Sequence, residues 1–420
     1  RWEILKTFSE KNQNLKTNLF KFEDNDFIPI DTVNALYQSN ISDWNHWIFG
    51  KIIECQNKIE FKYIANKKKE KLKDNEIKRK GNSLFLNRLL SPFSSDKIFI
   101  KNFQLPFFQK LVLHFQLGNF IFKPNESNYP NFVENLDLRK KIFKNIKFSN
   151  NFEKFLIEIL SLSIPKVFLE GFLQMDKILN TLDWPKKPEV ILTSYDYIGD
   201  EIFKFYTAKN VDQNKSKYII SQHGGSLGIL DFKINENLFP NISDKFLSWG
   251  HKNKFDNTTP LFFTKKTSYK FSRKKKLDGI LIPMTEFEVY PSLPETVSSR
   301  RDTIKFLDEF DKFTNILDKK ISNTIKIKYR NPFEQVKLNP KVKKGILADG
   351  FLYQKERLIA QYKSKMIYTE ISSLRLSKNF KLVIELVNGT GFLELLANNI
   401  PVILIMSSKN NILNNYAKGF

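Results

Sequence analysis

The chain has 420 residues, 41% of them hydrophobic, and a formal net charge of +23. Its length suits two α/β domains of about 150–250 residues each better than a single core. It contains no run of about eighteen uncharged apolar residues, so no membrane-spanning helix is predicted. Cys55 is the single cysteine, which excludes an intrachain disulfide and a cysteine-based zinc site.

The excess of positive charge raises the question of a polyanionic partner. Basic residues cluster at 67–80 and 265–276, but neither cluster contains a helix-turn-helix, zinc-finger or aromatic RNA-binding pattern. A solvated surface or linker is therefore the first interpretation. Peripheral contact with an anionic membrane, worth about 1 kcal/mol per nearby basic residue, is the second. Nucleic acid comes third, and we expect none as a partner.

The two ends of the sequence suggest a fragment. The chain begins with RWEILKTFSEKNQ, without methionine or a signal-peptide pattern, and stops at NNYAKGF after a helix-like stretch. We expect the C-terminal domain to be truncated.

In chain order, residues 1–185 are predicted to be mostly helical, with a few apolar strands. WNHWIFGKIIECQNKIEF and NFEKFLIEILSLSI both place apolar residues at helical spacing. From residue 188 the pattern changes to short strands followed by helices. The predicted elements are strand 188–194, helix 199–210, strand 217–221 and a short helix at 242–250 that leads into a third strand.

The basic stretch 265–276 has the composition of an exposed linker between domains. The alternation then resumes, with strands 278–284, 323–329, 381–387 and 401–406 and helices 298–317 and 391–399. It predicts an α/β fold with parallel sheets, in which ligands bind beyond the carboxyl ends of the strands. We expect an N-terminal domain at 1–264, with a helical region at 1–185 and a Rossmann-like core at 186–264, and a second α/β domain at 277–420.

Three groups of residues at predicted strand ends could carry chemistry. The first is Gln222, His223, Gly224 and Gly225, directly after strand 217–221. Paired glycines let backbone N–H groups approach an anion or a sugar, and the histidine can donate or accept a proton. A tight turn with a structural histidine is the alternative.

The second group is acidic. Glu170 lies in an apolar stretch, and Asp196 and Asp200 follow strand 188–194. Two carboxylates and a histidine at one crevice would supply an acid or base and a nucleophile for transfer of a sugar. Alternatively, Asp200 caps the following helix and Glu170 pairs with a nearby lysine or arginine.

The third group is the turn Asn388–Gly391 at the start of a predicted helix, with Glu394 one turn later. A helix N-terminus presents free N–H groups and its dipole to a phosphate. Arg330, after another strand, would add a cation on the same rim. The alternative is that Thr390 is an ordinary helix N-cap.

Seven segments occur in an order that characterises one family and cover most of the chain. They are SDWNHWIFGKII (42–53), IPKVFLEGF (164–172), GDEIFKFYTAKN (199–210), QHGGSLG (222–228), ISDKFLSWGH (242–251), IKYRNPFE (327–334) and NGTGFLELLANNIPVIL (388–404). Together they resemble a family of transferases encoded in bacterial surface-polysaccharide loci. That family is distantly similar to transferases that add Kdo, an acidic eight-carbon sugar, to capsule and O-antigen chains.

The resemblance implies a GT-B fold, in which two Rossmann-like domains face each other across a cleft, and a cytoplasmic glycosyltransferase, peripheral at the inner membrane, without a metal or other cofactor. It implies a nucleotide-sugar donor held by domain 277–420, CMP-activated and Kdo-like, and an acceptor that is a surface polysaccharide or lipid-linked glycan. The catalytic residues would be Glu170, Asp200 and His223. The substrate-binding residues would be Gln222, Gly224, Gly225, Arg330, Asn388, Thr390 and Glu394.

The sequence also departs from the family. Residues 335–375 match poorly, and the expected C-terminal helices are missing. Asp24 and Asp26 have the spacing of a metal site in another glycosyltransferase fold, but too few strand–helix units precede them, so we predict a loop. The alternatives are another GT-B enzyme, such as a nucleotide-sugar epimerase or a glycerophosphotransferase, and a non-catalytic scaffold of polysaccharide assembly.

Overall fold

The computed structural model describes residues 1–12, 14–39, 41–65, 94–119, 129–225, 227–228, 234–265, 277–285, 300–330, 354–369 and 371–405. The strands are β1 (Lys16–Phe20), β2 (Glu60–Ile64), β3 (Ile98–Lys101), β4 (Val190–Thr193), β5 (Lys217–Ser221), β6 (Lys245–Trp249), β7 (Thr258–Leu261), β8 (Asp278–Thr285), β9 (Ile325–Arg330), β10 (Met366–Ile367), β11 (Phe380–Glu385) and β12 (Val402–Leu404). The basic cluster 67–80 and the predicted linker, apart from its first residue Lys265, lie outside the described residues.

We call residues 1–265 the first half of the chain and residues 277–405 the second half. The helices of the first half are α1 (Trp2–Lys11), α2 (Thr32–Gln38), α3 (Ser42–Gln56), α4 (Phe107–Gln116), α5 (Leu136–Phe143), α6 (Asn151–Ser163), α7 (Phe172–Asn180), α8 (Asp196–Gly199), α9 (Glu201–Asn214) and α10 (Ile234–Asn241). Those of the second half are α11 (Arg300–Ile316), α12 (Lys319–Ser322), α13 (Gln354–Tyr362), α14 (Ser373–Ser377) and α15 (Thr390–Ala397).

The first half is built on a parallel sheet of five strands in the order β3-β4-β5-β6-β7. Ile191, Ile220 and Phe246 from its strands are fully buried. They share one core with Ile202 and Phe203 of α9. Because all five strands run in the same direction, their carboxyl ends meet at one edge.

The second half has its own five-stranded parallel sheet, in the order β10-β9-β8-β11-β12. Leu281 and Val383 share a core on one face with α15, while Ile282 and Ile384 share a core with α11 and α13. Counted within this half, the strand order is 3-2-1-4-5, so it reverses between β8 and β11. Open α/β sheets bind ligands at the carboxyl ends of strands beside such a reversal.

Before β4, helices α1, α3, α5 and α6 pack around a smaller core, and β1 and β2 form a separate parallel pair of strands. Trp47 and Ile52 of α3 pack there with Phe155 of α6. Cys55 at the end of α3 is half-buried, and its thiol donates to the backbone oxygen of Asn151.

Two details differ from the sequence prediction. The predicted short helix at 242–250 is wrong, because the segment contains strand β6, whose Phe246 and Ser248 alternate inward with period two. The sheet of the first half also includes β3, from a region predicted to be mostly helical. The strand predicted to follow residue 250 is β7, and its Pro260 is tolerated because β7 is an edge strand.

Candidate functional site

The carboxyl ends of β3 and β4 carry a buried group of charges. Lys101 is 3% exposed, and its ammonium group pairs with the carboxylate of Asp200 and lies 3.5 Å from Oδ2 of Asp196. Asn102 donates to the other Asp196 oxygen at 2.5 Å. The Lys101 ammonium also lies 5.4 Å from the centre of the Trp184 ring, a cation–π distance. These contacts hold the lysine as the partner of both carboxylates.

Asp200 also begins helix α9, where its side chain accepts the backbone N–H of Phe203 at 2.9 Å. Burial raises the pKa of the neighbouring Asp196 above its ordinary value, although Lys101 and Asn102 oppose that shift. The helix-cap interpretation of Asp200 agrees with these contacts. A nucleophilic role would require its pair with Lys101 to open.

Glu170 lies in a buried ion pair. Nε and Nη2 of Arg139 donate to its two carboxylate oxygens, each at 2.7 Å, and the backbone N–H of Asn135 donates to one of them. Nη1 of Arg139 binds the backbone oxygens of Ser161 and Ile164. Glu170 therefore has the contacts of the buried partner of an arginine, and Arg139 ties α5 both to the segment before α7 and to the end of α6.

The side chain of Gln222 is used within the protein. It is 1% exposed, its amide nitrogen donates to the backbone oxygen of Gly224 at 2.7 Å, and its oxygen accepts the N–H of Trp249 at 2.7 Å. Gln222 thus fixes the loop after β5 against the end of β6.

His223 stands beside two tyrosines that follow β4. Its Nδ1 lies 2.8 Å from the hydroxyl of Tyr197, and its ring meets that of Tyr195 edge to face. Burial, reinforced by the charge of Lys265, lowers the pKa of His223 to about 4, so the ring is neutral at neutral pH. Within the described ranges no protein group bonds its Nε2. One ring nitrogen is thus anchored and the other is available to a ligand.

The loop after β5 touches the turn after β11. The N–H of Gly225 donates to Oγ1 of Thr390 at 2.8 Å. A Cβ on Gly225 would lie 2.6 Å from backbone atoms of Gly389 and Thr390, whereas one on Gly224 would lie 3.7 Å from the Thr390 hydroxyl. The glycine pair was predicted to admit an anion or a sugar. In the structure, the absence of a side chain on Gly225 lets the backbone of Gly389 and Thr390 from the second half approach closely.

Helix α15 begins without a capping side chain. Its N-cap is Gly389 in extended conformation, and Thr390 is its first residue, so Thr390 is not the N-cap. Within the described part of the chain, both polar side-chain atoms of Asn388 are buried without a hydrogen-bond partner. Free helix N–H groups beside an unsatisfied amide are costly unless a ligand or water pairs with them. This turn is therefore the strongest candidate for a ligand site in the second half.

Glu385 lies beside the same turn and was not among the residues singled out from the sequence. It ends β11, is 9% exposed, and its Oε1 lies 3.3 Å from where a Cβ of Gly391 would be. Burial, and then the charge of Glu394, raise the pKa of Glu385 to about 7. Glu394 itself pairs with Lys265 across the two halves at 3.4 Å. The available signal was a carboxylate in an apolar strand just before the turn.

Arg330 ends β9, and the register places it opposite Thr285 of β8. Since β8 separates β9 from β11, the backbone of Arg330 lies about 10 Å from β11, at the same edge as the turn Asn388–Gly391. Its side chain is outside the described residues.

A cavity of about 540 Å³ opens between the two halves. Gln104 and Lys265 line it from the first half, and Arg375, Lys378 and Glu394 line it from the second. Its volume is in the range of small-molecule sites, and three of these five side chains are cationic.

Asp24 and Asp26 lie in a 3-10 turn, where Asp26 forms a capping box with Glu23. No group of three or more potential metal ligands occurs within the described ranges. Among the helices of those ranges, none has the length and apolarity to cross a membrane.

The sequence matches one family model, described as LIC12162 family transferase, over residues 1–420. No curated protein matches it. Among six matching chains of solved structures is a structure of S. aureus MnaA with UDP. It aligns with 97% of this chain and 81% of its own, at 10% identity and a TM-score of 0.31, which is too low to establish a common fold.

Proposed function

The chain belongs to the LIC12162 family of transferases, and we propose that it is a glycosyltransferase of GT-B architecture. The observation that carries the proposal is the meeting of two strand-end loops, one from each parallel sheet, at the bond between Gly225 and Thr390. Both loops follow carboxyl ends of strands, where open α/β sheets bind ligands. A ligand held between them contacts both halves.

In this architecture residues 1–264 form the acceptor-side domain and 277–420 the nucleotide-sugar domain, joined by 265–276. Two observations support the division. Strands β3–β7 and β8–β12 belong to separate sheets, and the reversal of strand order lies in the second sheet.

The donor phosphate is proposed to bind at the N-terminus of α15. Within the described residues, no side chain caps the first N–H groups of α15 or bonds the amide of Asn388, so these groups can bind a phosphate. A helix dipole alone contributes about 0.3–1 kcal/mol to anion binding. Arg330, on the same edge, supplies the cation, and Glu394 faces the nucleoside.

The sugar and the acceptor are proposed to occupy the cavity between the halves. Its cationic residues Lys265, Arg375 and Lys378 suit an acidic, Kdo-like sugar from a CMP-activated donor. They also suit an acceptor with phosphate groups, such as a lipid-linked precursor of a surface polysaccharide.

Of the three predicted catalytic residues, His223 has the contacts that best fit the role. Tyr197 orients its ring, and a phenol that donates to Nδ1 leaves the ring proton on Nε2. That N–H then donates to the sugar carboxylate or to the acceptor. We assign positioning roles to Asp200 and Glu170, because their carboxylates already hold Lys101 and Arg139.

The test is a thermal-shift screen of the full-length protein against CMP-, UDP- and GDP-linked sugars. One nucleotide class should stabilise the fold, by about 2.7 kcal/mol at a hundred times its dissociation constant. Asn388→Ala should remove the shift, whereas Asn323→Ala, at an exposed position of the same half, should keep it. Transfer is then measured as nucleotide release in the presence of extracted glycan acceptors.

Three results would contradict the proposal. Conversion of the nucleotide sugar without an acceptor would indicate an epimerase. Binding without turnover against every acceptor would indicate a scaffold. Steeply salt-dependent binding to DNA or RNA, with no response to nucleotide sugars, would indicate a nucleic-acid protein.

A further inference from the structure

Helix α4, in the first half, exposes an apolar surface. Phe107, Phe108, Val112 and Phe115 are 70%, 78%, 55% and 64% exposed. Single exposed apolar side chains are normal on protein surfaces. Four on one helix of ten residues form a contiguous patch of the kind that marks a docking surface.

The orientation of α4 is set by its inner face. His114 is fully buried, and its Nδ1 lies 2.8 Å from the backbone oxygen of Asn119. Phe108, Val112 and Phe115 are spaced four and three residues apart, so they share one side of the helix. The buried histidine therefore holds the apolar side toward solvent.

We propose that this side of α4 docks on an anionic lipid bilayer, with the helix parallel to the surface and its phenylalanines at the boundary between headgroups and acyl chains. The local charge fits such a partner, since no acidic residue occurs between Lys97 and Asn119. The whole chain carries a net charge of +23, which an anionic surface attracts.

The same charge argues against a second copy of the chain as the occupant, because two such copies repel each other. The projecting side chains of α4 also favour a fluid lipid surface as the partner. Phe107 and Phe108 project side by side from one helix, with ring centres 5.6 Å apart. Aromatic side chains on a short amphipathic helix bury readily in a lipid interface.

Docking by α4 has a consequence for the cavity. Gln104 and Leu105, which line it, are separated from α4 only by Pro106. A bilayer in contact with α4 therefore lies beside this lining of the cavity. This step rests on the proposed function and makes the acceptor a glycan carried on a membrane lipid.

The experiment is co-sedimentation of the full chain with phosphatidylcholine vesicles, with and without phosphatidylglycerol. The wild type should bind the vesicles that contain phosphatidylglycerol. The variant Phe108→Ser with Phe115→Ser should bind them at least about a hundredfold more weakly, since each buried phenylalanine contributes about a tenfold factor or more. The control is Leu173→Ser with Ile316→Ser, both 81% exposed, and it should bind like the wild type. Matching melting temperatures establish that all three proteins are folded.

The proposal is overturned if the wild type ignores anionic vesicles or if the Phe108/Phe115 variant binds them as tightly. It is also overturned if light scattering shows a wild-type dimer that this variant converts to a monomer. Nucleotide-sugar binding separates the two proposals. Vesicle binding without any nucleotide-sugar shift defeats the proposed function alone, whereas a retained shift without vesicle binding defeats the docking alone.

Discussion

The carboxyl edges of the two sheets present opposite electrostatic situations. In the first half, Lys101, Asp196 and Asp200 are buried together and pair with one another. In the second half, within the described residues, the carboxyl of Glu385 has no hydrogen-bond partner and the amide of Asn388 has none either. The paired charges at the first edge stabilise the fold. The polar groups without partners are the ones that a ligand can satisfy.

The free-energy costs of unpaired groups also differ between the two edges. Removing one member of a buried ion pair leaves the other charge uncompensated, at a cost of about 3–5 kcal/mol of stability. An unsatisfied buried amide costs about 1–3 kcal/mol, which a bound ligand recovers. Substitutions should therefore change stability at the first edge and ligand affinity at the second.

The largest effect is expected at Asp200. Asp200→Ala removes both the partner of Lys101 and the cap of α9, and should lower the free energy of unfolding by about 3–5 kcal/mol. Asp200→Asn keeps the cap and removes only the charge, so it should cost less. Both are measured by urea unfolding at neutral pH. Asp212→Asn, at an exposed position of the same helix, should stay within about 0.5 kcal/mol of the wild type.

The opposite pattern would support the catalytic role that the family resemblance implies for Asp200. If Asp200→Asn were as stable as the wild type and yet lost all transfer activity, Asp200 would act in the chemistry. A destabilised Asp200→Asn protein that retains full activity would establish its structural role.

The next effect concerns Glu385 and depends on pH. Its folded pKa of about 7 lies above the ordinary 4.5, so the folded protein binds a proton that the unfolded chain releases. The contribution of Glu385 to the free energy of unfolding is thus largest below pH 4.5 and falls as the pH rises to about 7, by up to roughly 3 kcal/mol in total. Glu385→Gln should remove this loss, becoming more stable relative to the wild type at pH 8 than at pH 4.

The matched control is Glu309→Gln, an exposed carboxylate on α11, whose stability difference from the wild type should not change with pH. An anionic donor should also bind the wild type more tightly below pH 7 than above it, because the ionised Glu385 repels it. A pH-independent difference for Glu385→Gln in both measurements would exclude this assignment.

A smaller effect is expected where the two edges meet. Gly225→Ala places a Cβ 2.6 Å from the backbone of Gly389 and Thr390, so the loops must separate. Overpacking of this kind costs about 1–3 kcal/mol, and nucleotide-sugar affinity should fall about tenfold. Gly224→Ala adds the same atom with 3.7 Å of clearance and should bind as the wild type does. Equal affinities for the two variants would mean that donor binding does not need this contact.

The sequence predicted where strands end better than which segments pair with each other at those ends. Strand 217–221 and the turn Asn388–Gly391 were recognisable, because short apolar runs followed by small or polar residues are local patterns. The attachment of β3 to β4 was not, since Ile98 and Val190 are paired across 92 residues. No local pattern reports such a pairing.

Side-chain roles were predictable only as alternatives. Asp200 as a helix cap and Glu170 as the partner of a basic residue were both foreseen, but their partners Lys101 and Arg139 lie 99 and 31 residues away. Glu385 was predicted only as part of a strand. Its raised pKa arises from burial and from the nearby charge of Glu394, and a local sequence pattern shows neither. Burial of a strand end depends on tertiary packing, which composition does not reveal.

The smallest effect is expected at Thr390, whose hydroxyl accepts the N–H of Gly225. Thr390→Val keeps the shape but removes the acceptor, so the Gly225 N–H loses a bond worth about 0.5–1.5 kcal/mol. Nucleotide-sugar affinity, measured by calorimetry, should therefore fall about two- to tenfold, while the free N–H groups of α15 still bind the phosphate. Thr390→Ser restores the hydroxyl and should restore most of the affinity. If serine fails to rescue, the threonine methyl group rather than its hydrogen bond matters, and the contact between the two edges serves packing alone.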